Sequence, residues 1–65
     1  MKNRQGRTIF ERLNEEINHA QIVANAEHRE ILAVKALGAA DMAVEFNLIT
    51  YTEWEHLITL IFKLL

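Results

Sequence analysis

From Thr8 to Phe46 the chain runs without a proline and with one glycine, Gly38, in a background of strong helix formers. Nothing along these residues forces a strand or a long loop. The expected fold class is therefore all-α. Apolar or small residues recur at Phe10, Leu13, Ile17, Ala20 and Ala24, then at Ile31, Val34, Gly38 and Met42. That is the three-and-four spacing of one helical stripe, interrupted where Glu27 takes an apolar slot. Continuous helix over these residues would be about 58 Å long at the rise of an α-helix, so the pattern fits either one coiled-coil-like rod or two helices. The low helix propensity of the cluster Asn25 to His28 favours a break there.

The next boundary is written in local chemistry. Asn47 suits a left-handed helix terminator, with Leu48 as the apolar residue that follows such a cap. Thr50 then reads as an N-cap with Glu53 three residues on, and Ile49 and Trp54 are placed for a hydrophobic staple. The expected outcome is a short turn over 47–50 joining an antiparallel helical hairpin. A cap at Thr52 with Glu55 is the alternative, but it would staple Tyr51 to His56 and fits less well. The third helix is expected over 51–65, and seven of its last nine residues are large and apolar.

Length now matters. At 65 residues with no cysteine, the chain buries only about 60% of its unfolded surface and has no disulfide to compensate. The middle helix, expected over 27–46, is apolar on nearly every side through Ile31, Leu32, Val34, Leu37, Met42, Val44 and Phe46, and two other short helices cannot cover it all. Ala36 with Ala40, and Ala39 with Ala43, form small-residue pairs flanking Gly38 that would let a second helix approach closely. These features predict a three-helix chain, or a long helix plus C-terminal hairpin, that assembles into a helical-bundle homo-oligomer, with a dimer favoured. The expected oligomer core is Ile31, Val34, Leu37, Ala39, Ala40, Ala43 and Phe46 with Trp54, Leu57 and Ile61.

Charge divides the chain into a basic arm, residues 1–7, and a single helical domain, residues 8–65. Residues 1–12 carry Lys2, Arg4, Arg7 and Arg12 against Glu11, a net +3, while the remainder holds three cations against eight acids, a net −5. An acidic body repels nucleic acid. A helix-turn-helix with its turn at Gly38 would have Asp41 and Glu45 and no Lys or Arg over 41–47, which phosphates disfavour. Lys2, Arg4 and Arg7 could still reach DNA or RNA as a tail, so nucleic-acid binding through the arm stands as the alternative reading. Neither a signal peptide nor a membrane span is expected. The basic start is not followed by about 7–15 apolar residues, and the apolar run Leu57 to Phe62 is far short of the ~18 residues that cross a bilayer. A cytoplasmic location follows as the expectation.

Catalytic chemistry has little to stand on. Glu-x-x-His occurs twice, Glu16 with His19 and Glu53 with His56, and in di-iron bundles such pairs project inward to hold metal because i and i+3 share a face. Here His19 falls at the edge of the Phe10, Leu13, Ile17 stripe. Glu53 is needed for capping, and His56 flanks the Trp54, Leu57, Ile61 face. These four residues are remote metal candidates only, and no metal or other cofactor is expected. Without cysteine, serine or a glycine-rich loop, the chain is not expected to be an enzyme. A non-enzymatic module for protein–protein interaction, with an unidentified protein partner, is the favoured function. It would use either the polar face of the first helix, Glu11, Asn14, Glu15, Asn18, Gln21 and Asn25, or the hairpin tip at Tyr51 and Trp54.

In its compact length, its basic Lys2 to Arg7 start and its capped run Leu48-Ile49-Thr50-Tyr51-Thr52-Glu53-Trp54, the chain resembles the small all-helical accessory proteins encoded in early regions of temperate, lambdoid phages and prophages. The resemblance implies a regulator that works through protein contacts. It assigns no role to any residue.

Overall fold

The computed structural model describes residues 8–65. Three α-helices form the described part of the chain, with no strand among them: α1 (Ile9–Gln21), α2 (Ala26–Glu45) and α3 (Tyr51–Leu64). Each helix packs on both others.

Every helix start is fixed by a side-chain cap. At α1 the Thr8 backbone N–H donates to Glu11 Oε1 at 2.7 Å, and the Glu11 N–H donates back to Thr8 Oγ1 at 3.1 Å. The same reciprocal pair opens α3, Thr50 N–H to Glu53 Oε1 at 2.8 Å and Glu53 N–H to Thr50 Oγ1 at 3.0 Å. Helix α2 begins after Asn25, whose carboxamide oxygen accepts the His28 N–H at 2.8 Å. Each cap satisfies donors that an unprotected helix start leaves without partners, and is worth about 1 kcal/mol.

The break between α1 and α2 is real and lies a few residues earlier than the Asn25 to His28 cluster suggests. Helix α1 tightens over its last turn, with Ile22 and Val23 N–H bonding to the His19 and Ala20 carbonyls. Asn25 then acts as an N-cap rather than as a helix breaker in place. Arg29, one turn into α2, reaches back so that its Nη1 donates to the Val23 carbonyl at 2.8 Å. That bond secures a carbonyl which the α1 ladder leaves open.

The second corner follows the expected chemistry closely. Asn47 has φ of 60°. Its N–H bonds to the Val44 carbonyl at 3.2 Å, and the Leu48 N–H bonds to the Ala43 carbonyl at 2.8 Å. These are the two bonds of a Schellman cap. One detail differs: Leu48 does not fold back as the apolar contact but stays 57% exposed, and Ile49 is the residue that enters the core.

The core is small. Leu13 and Ile17 of α1, Ala33, Ala36, Ala40 and Ala43 of α2, Ile49, and Leu57 and Ile61 of α3 form one buried cluster. Five of these nine side chains are large, whereas ten large apolar side chains are exposed among the described residues. Among the described residues one polar side-chain atom, Asn14 Oδ1, is buried without a partner. Asn14 is thus half-buried rather than part of an open polar face.

Candidate interaction face

Helix α2 is turned opposite to the orientation that its spacing suggests. Ile31, Val34, Gly38 and Met42, which continue the core stripe of α1 in sequence, all lie at the surface, with Ile31, Val34 and Met42 more than half exposed. The buried residues are Ala33, Ala36, Ala40 and Ala43. At 100° per residue each set spans about 80° of the helix, and their centres are diametrically opposed. The physical reason is distance. Alanine side chains let the α2 backbone lie close to both α1 and α3, and the large residues are left no room between the helices.

This arrangement divides the expected oligomer core. Ala40, Ala43, Leu57 and Ile61 are buried within the chain's own bundle, so they are not available to a second chain. Leu37 and Trp54 are half-buried and pack against that same core. Ile31, Val34, Ala39 and Phe46 are exposed, Phe46 at 64%. The close-packing role read from the Ala36–Ala40 pair is served inside the chain, and the face open to a partner is instead the large-residue stripe centred on Gly38.

Gly38 is the unusual member of that stripe. A mid-helix glycine destabilises a helix by about 0.8–1.0 kcal/mol relative to alanine. A Cβ built at Gly38 meets nothing within 4 Å. Nothing among the described residues therefore requires a glycine there. It leaves a notch on the helix surface, with Ile31 and Val34 on one side and Met42 and Phe46 on the other. Lys35 and His28 fall on the same edge of this face as Phe46, and Asp41 on the opposite edge, while Glu27 and Glu45, at the angle between Val34 and Gly38, close the stripe at its two ends.

The hairpin tip is a second exposed apolar region. The Trp54 indole N–H donates to Asp41 Oδ1 at 2.8 Å, which ties α3 to the acidic edge of α2. Tyr51 stacks on Trp54 with ring centroids 5.3 Å apart and is itself 65% exposed. Trp54 is thus an anchor of the hairpin and Tyr51 its outward surface.

The remaining candidates are not assembled into one site. Glu53 is occupied by the α3 cap, and the exposed His56 ring stands against Phe10 at 5.7 Å, tilted by 58°. Glu16 and His19 line a surface cleft of about 350 Å³ with Arg12, Glu15 and Leu32. Among the described residues no three His, Asp or Glu side chains are grouped as a metal site. Lys2, Arg4 and Arg7, and with them the whole 1–7 arm, lie outside the described residues. No helix among the described residues is long and apolar enough to cross a membrane.

No protein-family model, no curated protein and no solved structure matches the chain.

Three features of the structure were not singled out by the residue pattern. The Thr8–Glu11 capping box has the same T-x-x-E spacing as Thr50–Glu53 and was legible in principle. The Arg29 clamp depends on where the preceding turn runs, and the outward turn of α2 depends on packing. Neither leaves a local signature.

Proposed function

We propose that the protein is a non-enzymatic helical interaction module whose working form is a homodimer, acting as a small regulator or accessory protein through protein contacts. The observation that carries this reading is the imbalance of α2, which buries four alanines and exposes Ile31, Val34, Met42 and Phe46. A contiguous apolar face of this kind on so small a protein marks an interaction site. A short chain without disulfides gains most from covering such a face with a partner.

With α2 covered, Tyr51 and Leu48 at the hairpin tip and the charged surface of α1 stay at the outside of the assembly. Those surfaces suit recognition of another protein, and the resemblance to temperate-phage accessory proteins makes regulation by contact the role to test first. Light scattering on the purified chain at concentrations well above micromolar is the direct test. The expected mass is about 15 kDa, two copies of the 7.5 kDa chain in an isologous pair. A folded species of 7.5 kDa at all accessible concentrations would overturn the reading.

A further inference from the structure

We infer that the two copies pair through α2 in an antiparallel crossing with Gly38 at the two-fold axis, the glycine notch of each helix receiving the other helix's backbone. This rests on the homodimer reading above and specifies its geometry. The first support is Gly38 itself: it is the centre of the exposed stripe, it has open space over it among the described residues, and it weakens its own helix. A glycine at a helix crossing lets two backbones approach closely, which larger residues prevent.

The second support is self-complementarity, which a two-fold interface demands. With Gly38 on the axis of an antiparallel pair, residues equally far from it on opposite sides come level. Val34 then meets the partner's Met42, and Met42 meets the partner's Val34. Helical side chains lean towards their own N-terminus, so Lys35 and the partner's Phe46, on the same edge of the face, lean towards each other. Their ammonium and ring can come within cation–π range. Ile31 comes level with the partner's Glu45 at the wet end of the face, whereas a parallel pair would separate Phe46 from the partner's Lys35 by about 16 Å along the axis and align the two helix dipoles unfavourably. On the acidic edge, Asp41 is already directed to the Trp54 indole.

Area supplies the third support. Four side chains more than half exposed, with Ala39 and the stem of Lys35, offer roughly 500–600 Å² per copy and so a total near the ~1,000 Å² that a specific interface needs. The acidic edge and the ends of the face remain wet, which suits a dimer of micromolar rather than nanomolar affinity.

Two measurements test the geometry separately from dimerisation itself. Gly38→Leu adds apolar surface and helix propensity but fills the notch, so a merely sticky face would bind more tightly and a close crossing would bind less tightly. The expected result by sedimentation equilibrium is a dimer dissociation constant raised at least about tenfold, with circular dichroism showing full helix content. Gly38→Ala should weaken the dimer less while raising monomer stability. A Gly38→Leu chain that dimerises as well as the unsubstituted protein overturns the crossing while leaving a homodimer in place.

Orientation is read by oxidation of single-cysteine variants, which is unambiguous because the chain has no cysteine of its own. A mixture of Val34→Cys and Met42→Cys chains should give the mixed cross-linked dimer. Ile31→Cys alone should give none, because its two copies would be about 21 Å apart along the axis, far beyond disulfide reach. Efficient cross-linking of Ile31→Cys to itself, without the mixed product, establishes a parallel pair and overturns the antiparallel arrangement. If the unsubstituted chain is monomeric throughout, the functional reading fails first and the geometry with it.

Discussion

Helices α1 and α2 sort their residues by different rules. Helix α1 buries Leu13, Ile17 and Ala20 and turns Glu11, Arg12, Glu15, Glu16 and Asn18 outward, the arrangement of an amphipathic helix on the outside of a bundle. Helix α2 buries only alanines and turns Ile31, Val34, Met42 and Phe46 outward. For α1, burial within the chain accounts for the sequence. For α2 it accounts for the alanine face and for the half-buried Leu37 and Val44 beside it, and leaves Ile31, Val34, Met42 and Phe46 outside the core of the described residues. The difference separates a face of α2 that serves the chain's own fold from the face proposed above to serve its assembly.

The comparison can be broken at several points, in descending order of expected effect. Leu57→Ala removes a fully buried side chain of the core and should cost about 2–5 kcal/mol in denaturant unfolding. Val34→Glu, on the outer face of α2, should leave the helical circular dichroism intact while raising the dimer dissociation constant at least roughly thirtyfold in sedimentation. If Val34→Glu dimerises as well as the unsubstituted chain, that face does not carry the assembly and the two-face account is wrong. Ala40→Leu, on the inner face, should do the reverse. It crowds a fully buried position and should cost about 1–3 kcal/mol of stability, read as a lowered urea midpoint.

Smaller effects sharpen the same contrast. Thr50→Ala and Thr8→Ala each remove one half of a capping box and should lower stability by about 1 kcal/mol in thermal melts. Loss at Thr50 should be the more damaging to dimerisation, because it loosens the hairpin that holds α2 in place. Asn14→Leu replaces a side chain whose buried Oδ1 lacks a partner. It should be neutral or stabilising by up to about 1 kcal/mol, and a clear destabilisation would show that the carboxamide has a partner in the assembled protein.

Legibility in the sequence followed the range of the interactions. The α2–α3 corner was readable in full outline because Asn47, Thr50 and Glu53 act on backbone groups only a few residues away. The break after α1 was readable as a weak point, but its position depended on Asn25 capping forward rather than ending the preceding helix. The facing of α2 was not readable, because apolar residues surround that helix and periodicity alone assigns the larger ones to the core. Only the closeness of α1 and α3 decides that alanine goes inward. The candidate face was therefore half visible: Ile31, Val34, Phe46 and Gly38 stood out in the sequence, while Ala40, Ala43, Leu57 and Ile61 shared the same pattern and serve the monomer.

The central claim is that a second copy covers the outer face of α2 and completes the stability of the fold. The thermal midpoint of the unsubstituted chain, followed from about 1 to 100 µM, tests it most directly, since unfolding coupled to dissociation shifts with concentration. The account predicts a rise of at least about 5 °C over that range. A midpoint that stays constant while the chain melts cooperatively as a 7.5 kDa species would contradict it.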